Sequence, residues 1–111
     1  MNSDFLIATT HSFDRSSIKL SRKYPSFNKD LLELKKILTA NPIAGTPLGK
    51  NCYKIRLKIS SKNTGKSGGA RVITFAKVEN KRITLLDIYD KADKDSISEN
   101  ELIALIKKSD V

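Results

Sequence analysis

The sequence predicts an α+β domain in which three helices pack on an antiparallel sheet, in the order β-α-α-β-β-β-α. Three observations carry this. Phe27, Leu31, Leu34 and Leu38 recur at spacings of four, three and four, the apolar stripe of an amphipathic helix. Three runs rich in β-branched and aliphatic residues then follow in close order, over Tyr53 to Ile59, Ala70 to Val78 and Arg82 to Tyr89. Finally, Ser98 stands three residues before Glu101 and just ahead of Leu102, Leu105 and Ile106, a capping box opening a last helix.

Each element has a local cause. Asp4 to Thr9 reads as a short opening strand, and Ser12 or Asp14 as the cap of a first helix. That helix runs through Ile18 and Leu20 to about Lys23, because the residue before Pro25 disfavours helical backbone. The second helix starts near Phe27 and is stopped by Asn41-Pro42, so the two form a helical hairpin. Asn41 to Lys50, with its prolines and glycines, reads as a loop. Glu79-Asn-Lys81 is a short polar turn suited to an antiparallel hairpin. Counting by twos in the last strand, Leu85, Asp87 and Tyr89 share a face opposite Thr84, Leu86 and Ile88.

At 111 residues, with no internal repeat, the chain is expected to be one domain, 1–111. A single cysteine, Cys52, excludes a disulfide framework and fits a reducing compartment. No apolar run approaches the ~20 residues of a membrane span. A cytoplasmic protein without a membrane partner is expected.

Charge is unevenly placed. The formal net charge is +9, and Lys50 to Val78 contains eight lysines and arginines and no acid. Lys54, Arg56 and Lys58 alternate with Ile55, Leu57 and Ile59, so the cations share one strand face. The glycine-rich loop Thr64-Gly-Lys-Ser-Gly-Gly69 and the strand opened by Arg71 follow. Such a surface suits phosphate, with RNA or DNA as the first partner to consider. Charged alternation alone is more often a plain solvated face; the cationic loop beside it favours binding.

Other chemistries fit less well. Gly65-Lys-Ser67 is not a nucleotide-binding phosphate loop, since that motif needs a glycine where Ser60 stands and a helix where a strand follows. His11 is the only histidine, which rules out a two-histidine ribonuclease site. Asp87, Asp90, Asp93 and Asp95 lie among lysines and read as turn and cap residues, so no metal and no cofactor is expected. Tyr89, at a strand end, is either packing or a phenol at the rim of the basic surface, able to stack on a base or donate a proton.

Tyr53-Lys-Ile-Arg56, Lys62-Asn-Thr-Gly-Lys66, Gly68-Gly-Ala-Arg-Val-Ile73 and Leu85-Leu-Asp-Ile-Tyr-Asp-Lys91 together resemble the RelE/ParE superfamily of toxin–antitoxin toxins, in its HigB-like branch. The resemblance is strongest from Asn51 to Lys94. It implies a RelE-like domain that cleaves mRNA in the ribosomal A site and is neutralised by a cognate antitoxin, a helix-turn-helix protein, with operator DNA reached only through that antitoxin. By position, Arg71 matches the strand arginine that contacts the scissile phosphate, and Tyr89 the tyrosine near the end of the last strand. Lys58 and Lys66 are the candidate catalytic lysines. Lys54, Arg56, Lys62, Lys91 and Lys94 fall where RNA is held, while Lys50 and Lys77 read as bystanders. One departure is Thr74-Phe75, where HigB-like relatives often carry aromatic residues.

The chemistry follows from the substrate. A metal-free cut can use the RNA 2′-hydroxyl as nucleophile. Arg71 would neutralise the phosphorane, Lys58 or Lys66 would act as base with Asp90 as a carboxylate alternative, and Tyr89 would be the acid. The alternatives are a ParE-like gyrase poison and an RNA-binding module without catalysis.

Overall fold

The first helix begins where a strand ends. Strand β1, Leu6–Thr9, hands over at Thr10, whose Oγ1 accepts the Phe13 amide at 3.0 Å and donates to the Leu86 carbonyl at 2.8 Å. One hydroxyl thus caps helix α1, His11–Lys23, and ties it to the last strand. The cap is Thr10 rather than Ser12 or Asp14; Asp14 sits in the first turn, where its charge suits the helix dipole. Helix α2, Phe27–Ala40, ends ahead of Asn41-Pro42 as expected. The computed structural model describes residues 5–62, 68–94 and 96–109, apart from the side chain of Val78.

Four further strands follow: β2, Thr46–Gly49; β3, Cys52–Leu57; β4, Ala70–Lys77; and β5, Arg82–Asp90. They form a five-stranded sheet in the order β1-β5-β4-β3-β2. Two features depart from the sequence reading. The sheet is mixed, because β1 lies parallel to β5 while the other pairs are antiparallel. Strand β2 arises within the stretch read as a loop; Pro47 is tolerated there because β2 is an edge strand that needs fewer backbone donors. The last helix, α3, Glu99–Ser109, opens on the expected capping box, with the Ser98 amide donating to Glu101 at 2.9 Å and the Glu101 amide to Ser98 Oγ at 3.1 Å.

The helices occupy both faces of the sheet. The α1–α2 hairpin buries Phe13, Leu20, Phe27, Leu34 and Leu38 against Ile55, Val72, Leu85 and Ile88. On the other face, Leu102 of α3 packs with Cys52, Ile73 and Leu86, and Leu105, Ile106 and Tyr89 border that smaller cluster. A β-bulge decides which residue faces which core. Ile73 pairs with Asp87 but Thr74 pairs with Leu85, leaving Leu86 as an extra residue in β5. Leu85 is therefore on the hairpin side and Tyr89 on the α3 side, against simple counting by twos, since one extra residue reverses every later side chain.

Candidate RNA-binding and catalytic site

Alternation along β3 and β4 and their register bring three of the candidate residues into one row. Arg56 of β3 lies directly opposite Arg71 of β4, which lies directly opposite Tyr89 of β5. Cross-strand partners of this kind have Cβ atoms about 4.5–5.5 Å apart on the same face. Lys54 joins that face two residues earlier, opposite Ile73. The row's exposure is graded: Arg56 is exposed, Tyr89 half-buried, and Arg71 only 2% exposed. Arg71 Nη1 donates to the Ala70 carbonyl at 3.2 Å. The cationic surface read from sequence is thus covered at Arg71.

Lys94 stands over the other end of the row, its Nζ 5.0 Å from the Tyr89 ring centroid. It also pairs with Glu101 at 2.8 Å, and that hydrogen bond holds the Glu101 carboxyl down at about 2. The tyrosine is therefore linked through one lysine to the first turn of α3.

On the opposite face, next to this row, Asp90 is a buried hub. Its Oδ1 accepts Lys62 Nζ at 2.8 Å and the Ala92 amide at 2.9 Å, while Oδ2 accepts the Tyr24 hydroxyl at 2.6 Å and lies 3.6 Å from Lys23 Nζ. Burial pushes this carboxyl up, but the bonds from Lys62, Tyr24 and Ala92 outweigh burial and hold it far below the usual carboxylate range. Asp90 is then a poor general base near neutral pH, and its geometry assigns it to structure. Lys62 shares that role. Its side chain is only 12% exposed, and it also donates to the Gly68 carbonyl at 2.6 Å. Lys62 therefore points away from the Arg56–Arg71–Tyr89 face and is engaged in holding the base of the loop.

Two residues before Lys62, Ser60 is fixed as well. The Asp30 carboxylate accepts the Ser60 amide at 2.9 Å, Ser60 Oγ at 2.7 Å and Ser26 Oγ at 2.7 Å. Burial raises its pKa and these bonds lower it, with a net shift downward. Gly69 allows the chain at the start of β4 to lie against β3, since any side chain there would collide with the Leu57 carbonyl. Ser60 and Lys62 are thereby tied to α2 and to β5.

The remaining candidates fall around this frame. Lys58 follows β3 directly and is exposed; Lys91 follows β5 directly and is half-buried. Lys66 lies outside the described residues. Cys52 is buried, and burial pushes its thiol up to about 11, so it is inert. Asp30, Tyr24 and Ser60 were not singled out from sequence. Their contacts join residues 30 and 66 positions apart, and no local pattern marks such pairs. Among the described residues, no group of three or more His, Cys, Asp and Glu side chains could hold a metal ion, and no helix is long and apolar enough to cross a membrane.

No family model matches the sequence, and no curated protein matches it. Similarity is found at the level of structure. A mutant of the E. coli toxin RelE in the free state superposes with a TM-score of 0.52 over 96% of this chain and 94% of that one, at 16% sequence identity. That likeness extends over nearly the whole of both chains, and this chain has a RelE-like fold.

Proposed function

We propose that this chain is the toxin of a type II toxin–antitoxin pair, a HigB-like, metal-independent endoribonuclease that cleaves translated mRNA on the ribosome. The observation that carries the reading is the row Arg56–Arg71–Tyr89 on a RelE-like sheet. Two arginines directly opposite each other are unfavourable as neighbours, and a bound phosphate relieves that cost by accepting from both. Lys54, Lys91 and Lys94 extend the positive surface along the RNA backbone.

In this mechanism Arg71, with Arg56, stabilises the pentacoordinate phosphorane. Tyr89 protonates the leaving oxygen. Lys58 or Lys66 takes the 2′-hydroxyl proton, since Asp90 is committed to Lys62 and Tyr24. RNA would reach Arg71 from the sheet face that it shares with the exposed Arg56. Without a histidine pair the chemistry leans on positioning, which can contribute on the order of 7–11 kcal/mol, and the ribosome would supply it by orienting the mRNA. A cytoplasmic location and a helix-turn-helix antitoxin belong to the same proposal.

Induced expression with and without the antitoxin, followed by mapping of mRNA 5′ ends on ribosomes, tests it. Cuts within translated codons are expected. Inhibited supercoiling without RNA cuts would instead make the chain a gyrase poison. The burial of Arg71 favours one second reading, a module that binds RNA without cutting it; binding with no cuts would establish that one.

A further inference from the structure

A second cationic groove lies on the same sheet face as the arginine row, at the far end of β4 and β5. Phe75 of β4, Thr84 of β5 and Ala8 of β1 are register partners and make its floor. Lys77 and Arg82, the next pair toward the β4–β5 turn, stand at one side. His11 opens α1 at another, and Lys108 comes from the last turn of α3. The groove has a volume of about 590 Å³, and among the described residues that line it there is no aspartate or glutamate. Four residues along β4 separate Phe75 from Arg71, roughly 13 Å at the rise of a strand.

The composition is specific. A partly exposed phenyl ring, packed also against the Cys52, Ile73, Leu86 and Leu102 cluster, lines the groove together with three cations, an imidazole and three threonines. The negative C-terminal end of α3, which would repel an anion, is offset by Lys107 and Lys108 in its own last turn. An apolar ligand would leave these cations without a purpose, and a bare inorganic anion would leave the ring and most of the volume unused. A flat base joined to a phosphate uses both, because aromatic stacking accepts any base and lysine and arginine hold the phosphate. We infer that this groove is a nucleotide-binding site, occupied by a free nucleotide or by one unit of an RNA strand, and separate from the Arg56–Arg71–Tyr89 row. Lys77, a bystander by charge counting, is one of its phosphate ligands, and Phe75 its stacking platform. The inference stands on the groove alone and does not require that the chain cut RNA.

The test uses the full chain and two probes that cannot be cleaved: adenosine 5′-monophosphate, and a labelled single strand with 2′-O-methyl riboses. Lys77→Ser with Arg82→Ser, and separately Lys108→Ser, should weaken strand binding and flatten its salt dependence by about 0.7 in slope per lost phosphate contact. Phe75→Leu, which keeps the apolar contact but removes the flat ring, should weaken it about tenfold. The mononucleotide should shift the His11 and Phe75 ring resonances saturably. Strand effects without mononucleotide shifts identify an RNA strand as the ligand, and the reverse identifies a free nucleotide. Wild-type strand affinity and salt slope in all these variants, together with unmoved His11 and Phe75 resonances, would overturn the site. Neither readout depends on cleavage, so a failed endoribonuclease reading and a failed groove are told apart.

Discussion

Arg56 and Arg71 face each other directly across the β3–β4 ladder, two guanidinium side chains on one face of one sheet. Like charges in that relation disfavour the folded state, whereas opposite charges contribute roughly 0.2–1 kcal/mol. The pair therefore makes stability and phosphate binding compete. Arg56→Glu should raise the denaturation midpoint slightly while lowering RNA affinity and toxicity. Urea titration beside RNA binding checks it; a variant both less stable and fully toxic would remove the pair from the site.

Arg71→Ala should abolish growth arrest and reduce cleavage on ribosomes by about 10²–10³-fold, the usual effect of removing one transition-state donor. Circular dichroism and capture by the antitoxin check that the variant folds. Full toxicity in a folded Arg71→Ala protein would remove the arginine from the mechanism.

Tyr89→Phe leaves the ring beneath Lys94 and deletes only the hydroxyl. A general acid contributes about 10²–10⁴-fold, so single-turnover cleavage should fall by at least the lower figure with RNA affinity unchanged. An equal loss in binding would make Tyr89 a stacking residue instead.

The Asp90 hub should make stability depend on pH in one direction. Its carboxyl has a lower pKa in the folded protein than the ~3.9 of an unfolded aspartate. The stabilisation is therefore fully present above that unfolded value and is lost as pH falls below it toward the folded value. Asp90→Asn should cost about 3–5 kcal/mol at pH 7, because Lys62 is left buried without its counter-charge. The gap from wild type should narrow below pH 4, as seen by urea denaturation at a series of pH values. A gap that stays constant with pH would mean the ion pair is not its source.

Ser98→Ala removes half of the capping box and should cost α3 about 1 kcal/mol. Amide exchange should quicken in α3 while the β4 and β5 amides are unchanged. Uniform quickening across the sheet would show that α3 does not open on its own.

Much of the fold is legible along the chain because its signals are local. The Phe27–Leu38 stripe, the Pro25 and Pro42 stops and the Ser98–Glu101 box each act within a few residues, and each marks its element. Strand β2 escapes because four residues with a proline carry no periodicity. The parallel pairing of β1 escapes because pairing is a relation between distant segments. The site divides in the same way. Arg56, Arg71 and Tyr89 could be named from pattern and resemblance, but their joining into one row depends on register.

By itself the sequence determined every element but β2, their order and a cationic segment without acids, since propensity, capping and charge are written residue by residue. Tertiary structure alone decided where each cation stands and what it contacts. It turned Lys62 inward to Asp90, covered Arg71 and paired it with Arg56, and moved Lys77 and Phe75 into a separate groove. The physical reason is that burial and partner choice depend on strand register, one β-bulge and the face on which each helix settles, and no local segment encodes these.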